Sequence, residues 1–264
     1  MSEIRNTDEI SRIVAELLRK NLSYQYEEIP FITDFLQECK TKYSGSFQQI
    51  KSSSGNSILL IFENFVFKIY NKSYREELVR EVNILENLKE CKHVVKVFKN
   101  TFDNPIVVFE KLKPLKSENL ANFQLSDTKK LVSDIAEGLY HIHSKSYVHR
   151  DTGHSNICIR ETKEELDTYV FIDFENATDF NINQPNLNFQ ECMYNDVNQF
   201  LEDIEIQIRN IDSNKYITKV ISELKIKCII QEQTQIIFLG KTRNRTISKV
   251  NYNIGDFLSI INSI

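Results

Sequence analysis

The chain has 264 residues, of which 41% are apolar and 27% charged. These proportions are typical of a globular protein and exclude general disorder, and the length allows one large domain or two packed lobes. A net charge of −4 argues against general nucleic-acid binding, which requires many basic side chains to neutralise phosphates. The longest apolar runs are far shorter than the roughly 20 residues that span a membrane, so no membrane partner is expected.

The amino-terminal segment is polar at its start and then becomes helical in pattern. It lacks the apolar core of a secretion signal, so we expect a cytoplasmic protein. Apolar residues recur at helical spacing over residues 8–20, and a second short helix is predicted after Pro30. Residues 1–45 are therefore predicted to form a helical N-terminal extension. The five cysteines are odd in number and contain no CxxC pair, so we expect reduced thiols.

Residues 46–112 read mainly as strands. Residues 58–62 and 65–70 predict a strand pair, residues 74–89 a helix, and residues 94–98 and 106–109 two further strands. With an additional strand from about residue 47, the predicted order is β-β-β-α-β-β.

Residues 113–264 are predicted to be mainly helical. A long helix is expected at 126–144, followed by a hairpin of 157–160 with 169–173, and helices at 195–209, 215–230 and 254–262. The basic run 241–245 is interpreted as a solvated loop. The expected fold is α+β and bilobal, with a small antiparallel sheet in one lobe, helices in the other and a cleft between them.

Two short segments carry residues suited to phosphate chemistry. The first is His149-Arg150-Asp151, with Asn156 five residues after the aspartate. A carboxylate there can accept a proton from a hydroxyl, and an amide oxygen can ligate a divalent cation. The second segment is Ile172-Asp173-Phe174, at the end of an apolar strand, where Asp173 can bind Mg²⁺.

Together these segments resemble the HRDxxxxN and Asp-Phe motifs of the protein kinase family. The resemblance covers about residues 46–210 and implies a phosphotransferase that uses ATP and Mg²⁺ or Mn²⁺. It implies that Asp151 is the catalytic base, and that Asn156 and Asp173 hold the metal ion. A protein substrate is the expected acceptor.

The family also requires a strand lysine and a partner glutamate on the next helix. Lys68 supplies the lysine, within the apolar strand 65–70. Glu77, Glu81 and Glu86 all lie on the helix, and a rotation of 100° per residue places Glu81 inside the buried arc, so we expect Glu81 to be the partner.

The remaining expected ATP contacts come from a loop and from a hinge. The loop that covers the phosphates resembles Lys51–Ser57, and the hinge resembles Val107–Leu112, with Phe109 as gatekeeper. The predicted contacts are Ser52, Ser53, Ser54, Gly55, Asn56 and Ser57 in the loop and the backbone of Glu110 and Leu112 in the hinge. Asp196 resembles a residue that braces the catalytic loop without reacting.

The chain departs from the family pattern at several positions. Gly55 is the only glycine of the phosphate loop, Gly153 stands where serine/threonine kinases carry a lysine, and Glu175 replaces the usual glycine after Asp-Phe. No Ala-Pro-Glu follows, so a long activation loop is not expected. A compact serine/threonine protein kinase is the first hypothesis. A small-molecule kinase of the aminoglycoside or choline type and a non-enzymatic pseudokinase are the alternatives.

Overall fold

The computed structural model describes residues 48–51, 57–62, 65–70, 72–101, 106–162, 167–182, 184–208, 229–238 and 241–250. The chain forms two compact units, the first from Met1–Val82 with Val97–Lys111 and the second from Asn83–Lys96 with Leu112–Ile264. The predicted extension at 1–45 lies outside the described residues. The domain limits 1–45, 46–112 and 113–264 stay predictions.

The first unit contains a five-stranded antiparallel sheet in the order β1-β2-β3-β5-β4. Its strands are β1 Gln48–Lys51, β2 Ser57–Ile61, β3 Phe65–Tyr70, β4 Val97–Thr101 and β5 Ile106–Glu110. β3 lies at the centre and pairs with both β2 and β5. Because neighbouring strands cover both of its edges, side chains on β3 are held in fixed positions.

The helix that follows β3 is α1, Arg75–Asn87, which a short 3₁₀ turn precedes. Its apolar positions recur at helical spacing, and Leu78, Val82 and Leu85 are all buried. The predicted order β-β-β-α-β-β is confirmed.

The helices of the second unit include α2 Ser117–Ala121, α3 Leu125–Ser144 and α4 Phe189–Ile208. The inward stripe of α3 is apolar, as the sequence predicts, and it packs near the strand Thr168–Phe171. At Gly138 an added Cβ would lie 3.0 Å from His93 and 3.3 Å from Phe171. Glycine therefore permits the close approach of α3 to its neighbours.

Short strands position the loops that carry the predicted motifs. They are β6 Lys113–Pro114, β7 Tyr147–Val148, β8 Ile157–Arg160, β9 Thr168–Phe171 and β10 Thr178–Asp179. They form a β6-β8-β9 sheet and a β10-β7 pair. Residues 149–156, here called the Asp151 loop, connect β7 to β8, and residues 172–177, here called the Asp173 segment, connect β9 to β10.

Three predictions about secondary structure need correction. The predicted helix 215–230 does not extend to residue 230, and the C-terminal region is not helical throughout, because strands β11 Ile229–Phe238 and β12 Lys241–Val250 pair as an antiparallel hairpin. The rest of that predicted helix and the predicted helix 254–262 lie outside the described residues. The basic run 241–245 therefore lies in a strand and not in a loop. The predicted strand 94–98 begins later, at Val97, because Val94 instead forms a bridge with Phe171.

Within the described ranges, no helix is long and apolar enough to cross a membrane. Cys91, Cys158 and Cys192 are free thiols, and the first two are buried. Cys39 and Cys228 lie outside the described residues.

Candidate active site

Lys68 and Glu81 form a buried ion pair in the first unit. Lys68 Nζ lies 3.3 Å from Glu81 Oε1, and the two side chains are 6% and 1% exposed. A buried charge is costly unless an opposite charge compensates it, so each side chain stabilises the other. The pairing inferred from helical phase is present in the structure.

Tyr70 completes this cluster, and the sequence analysis missed it. Its hydroxyl donates to Glu81 Oε2, and Lys68 Nζ lies 4.9 Å from the centroid of its ring. Burial, and next the charge of Glu81, raise the pKa of Tyr70 well above its usual value. The available signal was strand alternation, which places residues 68 and 70 on one face of β3.

The predicted phosphate loop is only partly described. Ser52–Asn56 lie outside the described residues, whereas Ser57 begins β2 opposite Tyr70. The Ser57 side chain is buried, and its Oγ has no hydrogen-bond partner among the residues that the structure describes. A buried hydroxyl without a partner is unusual in a folded protein.

The predicted hinge residues follow one another at the end of β5. Phe109 is buried, Glu110 is the last residue of the strand, and Leu112 lies two residues beyond it. Both Glu110 and Leu112 have partly exposed side chains.

A buried carboxylate on α4 anchors the start of the Asp151 loop. Asp196, on α4, is 0% exposed and accepts hydrogen bonds from the backbone N–H of His149 at 2.8 Å and of Arg150 at 2.7 Å. His143 Nε2 lies 2.9 Å from the same carboxylate. Asp196 therefore fixes the backbone directly before Asp151.

Two residues of the site adopt left-handed backbone conformations. The φ angles of Arg150 and Asp173 are 66° and 61°. Residues with a side chain rarely adopt such angles, and keep them only where the surrounding contacts enforce them. Strain of this kind is concentrated at functional sites, and here Arg150 lies directly before Asp151, whereas Asp173 is itself one of the carboxylates that the sequence analysis selected.

Backbone hydrogen bonds join the Asp151 loop to the Asp173 segment. Ile172 N–H donates to the Asn156 carbonyl at 2.9 Å. Asn156 Nδ2 donates to the Asp151 carbonyl at 3.1 Å, which assigns its Oδ1 as the atom left to accept or to ligate. These hydrogen bonds therefore link the loop that carries Asp151 and Asn156 to the segment that carries Asp173.

The ring of His149 makes a second connection between these segments. Its Nε2 lies 3.0 Å from the Ile172 carbonyl, and its Nδ1 accepts from Asp151 N–H at 3.3 Å. This pattern fits a neutral ring with the proton on Nε2. Burial lowers the pKa of His149, although the charge of Asp196 opposes the change.

Gln199 contacts the Asp151 carboxylate, and the sequence analysis also missed this residue. Gln199 Nε2 donates to Asp151 Oδ1 at 3.3 Å, while its Oε1 accepts from Thr152 N–H at 3.0 Å. Gln199 lies three residues after Asp196 on α4, and residues at this spacing share one face of a helix. Helical spacing from Asp196 was the signal that could have identified it.

A comparison with models of known protein families shows the family to which this chain belongs. A model of the protein kinase domain matches residues 61–197, just over half of the chain. The chain belongs to the protein kinase family. Membership supports ATP-dependent phosphotransfer as its activity, and the predicted α+β kinase fold is confirmed. No curated protein matches this kinase significantly.

The absence of glycine after Asp173-Phe174 has a local explanation in this kinase. Glu175 lies within a 3₁₀ turn, Phe174–Asn176, and its φ angle is not positive. The left-handed residue is instead Asp173, whose side chain tolerates that conformation better than most. A glycine is therefore not required at position 175.

Gly153, which stands where serine/threonine kinases carry a lysine, lies in a part of the Asp151 loop that other residues hold in place. An added Cβ on Gly153 would lie 3.5 Å from Asp203 Oδ2, an ordinary contact. Asp203 accepts from the backbone N–H of the next residue, His154, and lies 2.6 Å from its Nδ1. His154 Nε2 in turn lies 3.1 Å from Ser117 Oγ. Asp203 thus holds the middle of the Asp151 loop.

The residues that could hold a metal ion are few. No group of three His, Cys, Asp or Glu side chains forms a metal site among the described residues. Magnesium commonly binds through one or two protein oxygen ligands together with substrate phosphates and water. An amide oxygen from Asn156 and a carboxylate from Asp173 suit that pattern.

Proposed function

We propose that this chain is a serine/threonine protein kinase that transfers the γ-phosphate of ATP to a protein hydroxyl in the presence of Mg²⁺ or Mn²⁺. The observation that supports it best is the fixation of Asp151, which a buried Asp196 orients through the backbone and Gln199 contacts directly. A fixed and partly exposed carboxylate suits a general base, which must meet the acceptor hydroxyl in one orientation.

In this proposal ATP is bound by residues of the first unit and by Leu112, the residue that follows it in the chain. Lys68 contacts the α- and β-phosphates while Glu81 holds its ammonium in position. Ser57, together with Ser52, Ser53, Ser54, Gly55 and Asn56, covers the phosphates, and the Ser57 Oγ, which has no hydrogen-bond partner within the described residues, supports this assignment. The backbone of Glu110 and Leu112 holds the adenine.

Asn156 and Asp173 hold the metal ion in the second unit. The bound cation would neutralise negative charge on the transferring phosphoryl group. The fixed orientation of the Asn156 amide and the enforced backbone of Asp173 support this role, because ligands held in place lose little entropy when the cation binds.

Asp151 accepts the proton of the acceptor hydroxyl. One oxygen, Oδ1, receives the hydrogen bond from Gln199 at 3.3 Å. The other oxygen then faces the substrate hydroxyl and takes its proton as the oxygen–phosphorus bond forms, so that ADP leaves with the former β–γ bridging oxygen.

A cavity in the second unit favours one other acceptor class. Its volume is about 410 Å³, and Arg150, Glu191, Asn195 and Gln199 contribute polar groups to its wall. A volume within the usual range for small-ligand pockets, beside the residue that touches Asp151, would suit a small polar alcohol. A small-molecule kinase is therefore the second candidate.

Phosphotransfer from labelled ATP distinguishes these candidates. The purified chain is incubated with Mg²⁺, labelled ATP and either generic protein substrates or small polar alcohols. Label on serine or threonine of a protein supports the first proposal, and label on a small alcohol supports the second. ATP binding without any transfer contradicts both and indicates a binding module.

Asp151→Asn tests the assignment of the base. The substitution keeps the size of the side chain but removes the proton acceptor, so kcat should fall by about 10²–10⁴-fold while the Kd for ATP changes little. Asp167→Asn, at an exposed position, is the matched control and should retain full activity. An Asp151→Asn protein with unchanged kcat would remove this assignment.

A further inference from the structure

Tyr70 occupies a position that the family resemblance does not assign. It lies two residues after Lys68 on β3, and strand alternation places both side chains on the same face of the sheet. Tyr70 is 0% exposed, as is Glu81, and Lys68 is 5% exposed. The three side chains therefore form one cluster within the core of the first unit.

The two oxygens of the Glu81 carboxylate receive different donors. Oε1 faces the Lys68 ammonium at 3.3 Å, and Oε2 accepts the Tyr70 hydroxyl. The ammonium also lies over the Tyr70 ring, 4.9 Å from its centroid, where the face of the ring attracts a cation. Each member of the cluster thus contacts the other two.

This arrangement makes displacement of Glu81 unfavourable for two separate reasons. Rotation of Glu81 out of the cluster would leave the Lys68 ammonium without this partner, as in any kinase with such a pair. It would also leave the buried Tyr70 hydroxyl without the carboxylate to which it donates. Burial keeps the pKa of Tyr70 above its usual value, so the hydroxyl stays protonated and able to donate at neutral pH.

We propose that Tyr70 is a positioning residue that keeps Glu81 paired with Lys68, so that the ion pair is maintained from within β3 without an external regulator. In protein kinases the lysine–glutamate pair must be in place for catalysis, and movement of the helix that carries the glutamate controls it. A second buried donor to that glutamate opposes the movement. The effect on catalysis rests on the proposed role of Lys68 in ATP binding.

A purely structural role for Tyr70 makes a different prediction. If the ring only fills volume, Tyr70→Phe should preserve the packing and leave both α1 and ATP binding unchanged. If the hydroxyl holds Glu81, the same substitution should loosen α1 selectively. Phenylalanine is suitable for this test because it keeps the ring and removes only the donor.

Amide hydrogen exchange in the ATP-free protein measures how often the backbone hydrogen bonds of α1 open. Tyr70→Phe should accelerate exchange over residues 75–82 by about 10-fold, the equilibrium equivalent of one buried hydrogen bond to a charged group. Exchange within α3 should stay unchanged, which separates local loosening from global unfolding. Tyr169→Phe, which removes a hydroxyl from another buried tyrosine, is the matched control and should leave α1 unchanged.

The functional readout is the affinity for ATP and the turnover of the same variants. Tyr70→Phe should raise the Kd for ATP by about 3–10-fold. A double-mutant cycle with Glu81→Leu, which removes both carboxylate oxygens, should show coupling, because the second substitution removes an interaction that the first has already broken. If the effects of the two substitutions on the Kd simply multiply, without coupling, the proposal is overturned. An unchanged rate of amide exchange in α1 would also overturn it.

The experiment also separates this proposal from the proposed function. If the unaltered chain binds no ATP, the role of Lys68 in nucleotide binding is wrong. The exchange rates of α1 and the cycle measured on the free energy of unfolding still decide whether Tyr70 positions Glu81.

Discussion

Lys68 in the first unit and Asp151 in the second are both held in place, but by different kinds of contact. Lys68 is held by side chains, the carboxylate of Glu81 and the ring of Tyr70. Asp151 is held mainly through the backbone that precedes it, where two N–H groups donate to Asp196. The first arrangement depends on which side chains share a face of β3 and α1, and the second depends on a carboxylate carried by α4.

This difference determines what a substitution should change. Removing a member of the Lys68 cluster should alter the affinity for nucleotide and loosen α1, with little effect on the Asp151 loop. Removing the anchor of the Asp151 loop should alter folding and turnover together, because the loop backbone loses its acceptor.

Asp196→Ala should have the largest effect on stability. It leaves the buried N–H of His149 and the partly buried N–H of Arg150 without this acceptor, so the free energy of unfolding should fall by about 3 kcal/mol. Urea denaturation measures the change. Glu202→Ala, at an exposed position on the same helix, should stay within about 0.5 kcal/mol of the unaltered protein. Equal stability of the two variants would contradict the anchoring role.

Asp173→Ala should abolish most of the Mg²⁺-dependent binding of nucleotide. Loss of residues that merely support a metal ligand costs about 10–100-fold in affinity, so loss of a ligand should cost at least about 100-fold. Titration of ATP with and without Mg²⁺ gives the measurement.

Asp173→Asn is the companion variant for that experiment. Asparagine tolerates a left-handed backbone as aspartate does, so a similar loss would attribute the effect to the carboxylate and not to backbone strain. Retention of full Mg²⁺ dependence in both variants would place the metal ion elsewhere.

Gln199→Ala should have the smallest of these effects. Asp151 keeps its anchored backbone but loses one side-chain hydrogen bond, so kcat should fall by about 3–10-fold with the Kd for ATP unchanged. Steady-state kinetics separate the two constants. Gln190→Ala, at an exposed position in the first turn of α4, should behave as the unaltered enzyme. A changed Kd with unchanged kcat would assign Gln199 to nucleotide binding instead.

The parts of the site that could be predicted are those with a strong local pattern. Helical phase selected Glu81 among three glutamates, because Glu81 falls within the buried arc whereas Glu77 borders it and Glu86 lies outside it. The long α3 helix was also predictable, since its apolar stripe is continuous. Each of these inferences needed only the spacing of apolar residues within one helix.

The contacts that sequence reasoning missed join elements that are distant along the chain. Tyr70 and Gln199 look like ordinary core and helix residues until the fold brings Glu81 and Asp151 to them. The hairpin β11–β12 was missed for a different reason. The sequence analysis ended a predicted helix at residue 230 and interpreted 241–245 as a loop, although β-branched residues and Gly240 between the two segments favour a hairpin.

The three hydrogen bonds to Asp196 have a consequence for large mutational surveys of this chain. A screen that scores only product formation would rank position 196 beside position 151, although Asp196 is wholly buried and acts through the backbone of the Asp151 loop. Scoring the abundance of folded protein in the same library would separate the two positions, because only the variants at 196 should be depleted from the folded pool.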